Sequence, residues 1–140
     1  MIAYFDTSAL LPLIIEERTS LRAARLWDGA ARVVSVRLVY PEGRAALARA
    51  KRLGRLTARQ LRSAVTGLEN LDAQLDHVEV TADLAVRAGE LAEELALRGY
   101  DAVHLAAAAS MAGPDLVMVS GDRALTRAAD ELGLATARLA

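Results

Sequence analysis

The chain opens with the sequence MIAYFDTSAL, residues 1–10. Residues 2–5 form an apolar run with β-branched and aromatic side chains, which favours a short buried strand. The run stops at Asp6, and the polar residues Asp6, Thr7 and Ser8 are typical of a helix start. A strand that leads directly into a helix is the unit from which parallel sheets are built.

The same alternation of strand and helix continues along the chain. Further strands are predicted at residues 33–36, 77–80 and 116–119, with an edge strand at 134–137. Helices are predicted at 8–17, 20–29, 40–53, from a capping box at 57–60, from Thr81 to a stop at Gly99, at 101–111 and at 122–132. This order predicts an α/β fold. We expect a single three-layer domain over residues 1–140, with a mainly parallel sheet of four or five strands and helices on both faces.

The composition excludes several classes of protein. The chain has no cysteine, so disulfides, thiolate metal sites and cysteine nucleophiles are absent. Residues 1–6 lack the basic start of a signal peptide, and no apolar run approaches the roughly 18 residues that span a bilayer. We therefore expect a cytoplasmic protein that does not enter the membrane. The chain has only five aromatic residues, and this small number argues against binding of single-stranded nucleic acid by base stacking.

A net charge of −1 hides a strong division along the chain. From Arg18 to Arg62 there are 12 basic residues and two acidic ones, whereas the rest of the chain has 5 basic and 16 acidic residues. The near-zero total alone argues against a strongly basic nucleic-acid binder. The cationic third nevertheless requires an explanation.

Four acidic residues are expected at one edge of the predicted sheet, because ligands of parallel sheets bind beyond the carboxyl ends of the strands. These residues are Asp6, Glu42, Asp101 and Asp122. Asp76 and Asp115 precede strands, and we expect them at the opposite edge. Four carboxylates without cysteine suit a hard cation such as Mg²⁺ or Mn²⁺. Two such ions can activate a water and stabilise the leaving oxygen in phosphodiester hydrolysis.

Each of these residues also has a purely structural interpretation. Asp6 and Asp122 are ordinary helix caps, and Asp101 in a first helical turn gains from the helix dipole. Glu42 after Pro41 is a common pair at a helix start. His104, within an apolar stretch, is expected to be a buried structural histidine. Only the joint placement of the four carboxylates at one edge favours a site.

The motifs around these residues resemble those of the PIN-domain ribonucleases, particularly the VapC-type toxins. The matching stretches are DTSAL (6–10), LIIEE (13–17), PEGRAALAR (41–49), YDAVHLA (100–106) and VSGDRAL (119–125). They cover the whole chain in the order and spacing of that family. Pro41 directly before Glu42 is less usual for the family, and it leaves the pose of Glu42 open.

The resemblance implies an Mg²⁺- or Mn²⁺-dependent endoribonuclease with Asp6, Glu42, Asp101 and Asp122 as its catalytic and metal-binding residues. Thr7, Ser8 and Ser120 are implied as supporting polar groups, Ser120 standing where the family often has threonine. The resemblance also implies a small antitoxin partner that blocks the site, and a homodimer.

A nuclease with an acidic site needs positive charge nearby to hold a polyanion. Candidate RNA-binding residues follow Glu42 in the cationic third; they are Arg44, Arg49, Arg52, Arg55, Arg59 and Arg62. Alternatively, these arginines are solvated or pair with acidic residues 90–94. Three other functions stay open: an RNA-processing nuclease without an antitoxin, a non-catalytic PIN-like interaction domain, and a phosphotransferase with Asp6 as nucleophile.

Overall fold

Five parallel strands form the centre of the fold. The computed structural model describes residues 1–140. The strands are β1 (Ile2–Phe5), β2 (Arg32–Val36), β3 (Asp76–Val78), β4 (Leu116–Ser120) and β5 (Ala135–Arg138). They lie in the order β3-β2-β1-β4-β5, and every neighbouring pair is parallel. The predicted sheet, with its edge strand, is confirmed, although β3 is shorter than the predicted 77–80.

Seven α-helices connect these strands. They are α1 (Thr7–Leu10), α2 (Ser20–Gly29), α3 (Val39–Arg52), α4 (Ala58–Gln74), α5 (Ala82–Leu95), α6 (Gly99–Ser110) and α7 (Arg123–Glu131). The capping box at Thr57 and Gln60 and the cap at Thr81 are both present, as predicted. None of these helices combines the length and the hydrophobicity that a membrane span requires.

Two predicted helix boundaries were wrong. The helix predicted at 8–17 ends at Leu10 and continues as a 3₁₀ helix, Leu11–Leu13. Pro12 has no amide hydrogen and cannot donate to the carbonyl of Ser8, so the α-helical pattern cannot continue through it. Gly99 does not close α5, which ends at Leu95 with Ala96 in the left-handed region at φ 54°. Gly99 is instead the first residue of α6.

The sheet is the middle of three layers. Alternate residues of β1 point to opposite faces, as the pleat requires. Tyr4 packs in the large cluster with buried residues of α5, α6 and α7, such as Leu91 and Leu105. Phe5 packs on the other face with Ala23 of α2. Another buried cluster joins α1, α3 and α4 through residues such as Leu47.

The topology creates a switch point between β1 and β4. The chain moves from β1 outward to β2 and β3, and then returns to the other side of β1 to form β4 and β5. The connections that follow β1 and β4 therefore diverge to opposite sides, which opens a crevice at the carboxyl ends of these two strands. Asp6 directly follows β1 and Ser120 ends β4, so both lie at this crevice.

Candidate active site

Asp6 is the buried centre of the carboxyl edge, with 3% of its surface exposed. Its Oδ1 accepts hydrogen bonds from the Ser8 hydroxyl at 2.7 Å and from the Ala9 amide at 3.0 Å. Its Oδ2 accepts one from the Ser120 hydroxyl at 2.7 Å. The Ala9 bond is the predicted helix cap. A cap accounts for Oδ1 only, and one acceptor position on Oδ2 is left for another ligand.

The two serine hydroxyls tie Asp6 to the loop after β4. Ser8 Oγ accepts from the Gly121 amide at 2.9 Å, and Ser120 Oγ accepts from the Asp122 amide at 3.0 Å. Each hydroxyl thus uses its single hydrogen on the Asp6 carboxylate and its lone pairs on the backbone. Both serines that the resemblance implied as supporting groups therefore contact Asp6, and their role in a functional site stays a prediction.

Glu42 lies in the first turn of α3 and reaches a separate group of polar side chains. Its Oε1 is 3.2 Å from Thr7 Oγ1, which donates to it, and 2.8 Å from His104 Nε2. His104 Nδ1 is 2.8 Å from the Tyr4 hydroxyl. Thr7 directly follows Asp6 in the chain, so this group adjoins the Asp6 group. The open question of the Glu42 pose is answered: α3 begins before Pro41, and the Glu42 side chain contacts Thr7 of α1 and His104 of α6.

Asp101 and Asp122 are joined by an arginine that the sequence interpretation did not select. Arg98 Nε is 3.2 Å from Asp101 Oδ2, and an Nη of Arg98 is 3.8 Å from Asp122 Oδ2. The Arg98 side chain is 83% exposed. Asp122 also caps α7 by accepting from the Leu125 amide at 2.9 Å, as its structural interpretation predicted.

Burial sets the electrostatics of the centre. Desolvation raises the pKa of Asp6 above its ordinary value, although nearby His104 and the hydrogen bonds from Ser120, Ser8 and Ala9 act in the opposite direction. Desolvation likewise raises the pKa of Tyr4 well above its ordinary range. A buried carboxylate that stays ionised gains from any cation that approaches it.

The donor chemistry of the four candidate residues fits a hard divalent cation, because all four offer carboxylate oxygens. In the structure, however, no three acidic or histidine side chains are grouped closely enough to hold a metal ion. The side chains instead form three separate groups. Asp6 contacts the two serines, Glu42 contacts Thr7 and His104, and Arg98 joins Asp101 to Asp122. All three lie at the carboxyl edge.

The candidate RNA-binding arginines are all exposed on α3, α4 and the turn between them. None of the six forms an ion pair, and Arg44 donates only to the Tyr40 hydroxyl at 2.8 Å. The alternative of pairing with residues 90–94 is not observed, since Glu90 contacts Arg87. Arg49 follows Glu42 by seven residues, which places it on the same face of α3 about 10 Å along the axis.

The fold and the site define a doubly wound α/β domain with a buried carboxylate at its switch point. The chain belongs to the PIN domain family, whose family model matches residues 3–131. It is similar to Ribonuclease VapC45 and Ribonuclease VapC49, from two strains of Mycobacterium tuberculosis. Each is 45% identical over 132 residues, which cover 94% of this chain and 92% of the relative.

Solved structures share the fold at lower identity. PAE2754 from Pyrobaculum aerophilum superposes with a TM-score of 0.73 at 23% identity, over 97% of this chain and 92% of that one. VapBC2 from Rickettsia felis, solved bound to a DNA fragment from its promoter, has a TM-score of 0.69 at 14% identity over the full length of both chains. The α/β fold that the resemblance implied is therefore confirmed.

Two residues at the edge escaped the sequence interpretation as site residues. Arg98 precedes Asp101 by three residues, a spacing that brings side chains together at a helix start. His104 was expected to be a buried structural histidine, and it is 3% exposed. Its bond to Glu42 spans 62 positions of the chain, so no local pattern announces it.

Proposed function

We propose that residues 1–140 act as a single PIN nuclease domain, a divalent-metal-dependent endoribonuclease that is the toxin of a type II toxin–antitoxin pair. The observation that carries the proposal is the buried Asp6 carboxylate at the switch point, with Glu42, Asp101 and Asp122 at the same edge. The 45% identity to two ribonucleases over nearly the whole chain supports RNA as the substrate.

Asp6 and Asp101 would be the primary ligands of Mg²⁺ or Mn²⁺, and Glu42 and Asp122 would complete the site directly or through water. When bound, the metal supplies activation of the attacking water and charge stabilisation at the leaving oxygen. Arg98 contacts two of these carboxylates, and the site therefore requires that its exposed side chain move aside.

Neighbouring hydroxyls fix the carboxylates of Asp6 and Glu42 before any substrate arrives. Ser8 and Ser120 donate to Asp6, and these bonds favour its ionised form in a buried position where desolvation opposes ionisation. Thr7 donates to Glu42 from the neighbouring position. Carboxylates held in this way lose little freedom when they bind a ligand, because the protein has already ordered them.

The exposed arginines on α3 and α4 supply the positive surface for the RNA backbone. Arg44, Arg49, Arg52, Arg55, Arg59 and Arg62 carry no acidic partner in the structure, so their charges are available to phosphates. The division of charge along the sequence then separates a substrate-holding surface from an acidic centre. In the proposed function the protein acts on RNA in the cytoplasm, pairs with a small antitoxin and forms a homodimer.

RNA cleavage with added Mg²⁺ or Mn²⁺ tests the proposal. The wild type should cleave with either ion and stop in EDTA, and Asp101→Asn should lose at least about 100-fold in rate, the scale of losing a group that acts in the transition state. Asp115→Asn is the matched control, because Asp115 is exposed and precedes β4 at the other edge.

Undiminished cleavage in EDTA, or by Asp101→Asn, would refute the metal mechanism. RNA binding by the wild type without cleavage under any metal condition would instead assign the non-catalytic interaction domain.

A further inference from the structure

A buried histidine lies directly behind the acidic edge with both ring nitrogens engaged. His104 is 3% exposed on α6, and its ring meets Tyr4 edge-on at a centroid distance of 5.8 Å. Nδ1 is 2.8 Å from the Tyr4 hydroxyl, and Nε2 is 2.8 Å from Glu42 Oε1. Tyr4 is itself fully buried, so this end of the histidine is fixed by the core.

The chemistry of the partners sets the direction of the bond to Glu42. A carboxylate oxygen only accepts, so Nε2 carries the hydrogen and donates to Oε1. The Thr7 hydroxyl donates to the same oxygen at 3.2 Å. Two donors thus converge on Oε1. Oε2 makes no hydrogen bond, and it is accessible to solvent. The glutamate is held by one oxygen and presents the other.

Such a restraint matters for a glutamate more than for the shorter acidic residues. A glutamate side chain has more rotamers to lose than an aspartate when it is fixed, so its position depends more on neighbouring groups. Asp6 is positioned by its cap and its serines, but Glu42 has no hydrogen bond to Ser8 or Ser120. The Glu42 side chain is 22% exposed, and its only side-chain partners are Thr7 and His104.

We propose that His104 is a positioning residue: supported by Tyr4, it holds Oε1 of Glu42 inward so that Oε2 faces the metal site. The proposal rests on the metal-dependent function proposed above. It assigns the histidine a role beyond packing, and it explains how Glu42 keeps a defined pose although it follows Pro41.

The test measures Mn²⁺ binding directly, from the electron paramagnetic resonance signal of free Mn²⁺, in purified full-length protein. His104→Leu removes the donor at similar volume and should weaken Mn²⁺ binding about 10- to 100-fold, the scale expected when a group that orients a metal ligand is lost. His104→Gln keeps an N–H donor and should recover most of the affinity. Thermal unfolding establishes that each variant is folded.

A double-variant cycle separates positioning from packing. In a Glu42→Ala background, His104→Leu should cause no further loss, because there is no carboxylate left to position. An equal loss with and without Glu42, or a His104→Gln that binds as weakly as a folded His104→Leu, overturns the proposal. Should His104→Leu not fold, Thr7→Val removes the other donor to Oε1 and should also weaken Mn²⁺ binding only when Glu42 is present.

Nitrogen-15 NMR of labelled histidine provides a readout independent of metal. The Nε2–H signal of His104 should be present and should shift in Glu42→Gln. Wild-type Mn²⁺ binding without that signal overturns the positioning role and leaves the proposed function standing. The signal without Mn²⁺ binding or RNA cleavage by the wild type overturns both, because the bond then serves no metal site.

Discussion

Replacing Ser120 with alanine removes the hydroxyl that joins the two strands of the switch point. Ser120 donates to Asp6 Oδ2 at 2.7 Å and accepts from the Asp122 amide at 3.0 Å. Both Ser120 and Asp6 are buried, at 1% and 3% exposure, so the unpaired groups have little access to water. A hydrogen bond to a charged group contributes about 1.5–3 kcal/mol and a neutral one about 1 kcal/mol.

Ser120→Ala should therefore lower the free energy of unfolding by about 2–4 kcal/mol. For a domain of this size, that corresponds to a fall in Tm of about 6–15 °C. The assay is urea and thermal unfolding in EDTA, so that no metal contributes. Ser120→Thr is the matched control: it keeps the hydroxyl and should stay within about 1 kcal/mol of the wild type.

The free energy of unfolding that Ser120→Ala loses should depend on pH. The Ser120 bond lowers the pKa of Asp6 and so stabilises the ionised form, even though burial leaves the pKa raised overall. That contribution is fully present above the pKa of Asp6 in the folded state and is lost as pH falls through it. Ser120→Ala should thus be more destabilising at pH 7.5 than at pH 4. A change below about 0.5 kcal/mol, or equal losses in the alanine and threonine variants, would refute the reasoning.

Three further predictions follow from the charged groups. Because burial raises the pKa of Asp6, the free energy of unfolding falls as pH rises from the ordinary aspartate pKa through the raised pKa of the folded state. Asp6→Asn should therefore raise Tm in EDTA at pH 7 but not at pH 4, and a lower Tm at pH 7 contradicts this. Arg98→Gln should change unfolding by less than about 1 kcal/mol and tighten Mn²⁺ binding; equal or weaker binding rejects a competing role for this cation. Combined Arg55→Glu and Arg59→Glu should reduce the slope of the logarithm of the RNA-binding constant against the logarithm of salt concentration by about 1.4. Arg87→Glu is the control, and an unchanged slope in the double variant rejects the arginine surface.

Most of the fold was predictable because its signals are local. Apolar runs such as residues 2–5 and caps such as Thr57 and Thr81 depend on neighbours within a few positions, and these elements were predicted correctly. The failures occurred where two local signals competed. At α1 the prediction followed the helical periodicity, whereas in the structure Pro12 ends the α-helical pattern. After α5 the helix stop was predicted at Gly99 but lies at Ala96, a residue that adopts positive φ only at a cost.

The candidate site was predictable only as a set of positions. Strand order places Asp6 and Asp122 just after β1 and β4, and helix starts place Glu42 and Asp101 in the first turns of α3 and α6. Their partners depend on side chains that meet across the chain, such as Ser120 with Asp6 over 114 positions. Nothing in the spacing of the sequence specifies such a contact.

The structural interpretation of Asp6 and Asp122 as helix caps does not exclude the proposed metal-binding role. Asp6 and Asp122 each use Oδ1 to cap a helix. Oδ2 of Asp6 instead accepts a hydrogen bond from Ser120 of β4, and Oδ2 of Asp122 pairs with Arg98. Because a cap fixes the side chain through one oxygen, it also fixes the direction of the other. In the proposed metal site the helix caps would therefore orient the carboxylates, and an asparagine at either position would keep the cap while replacing the second oxygen with an amide nitrogen that cannot bind a cation.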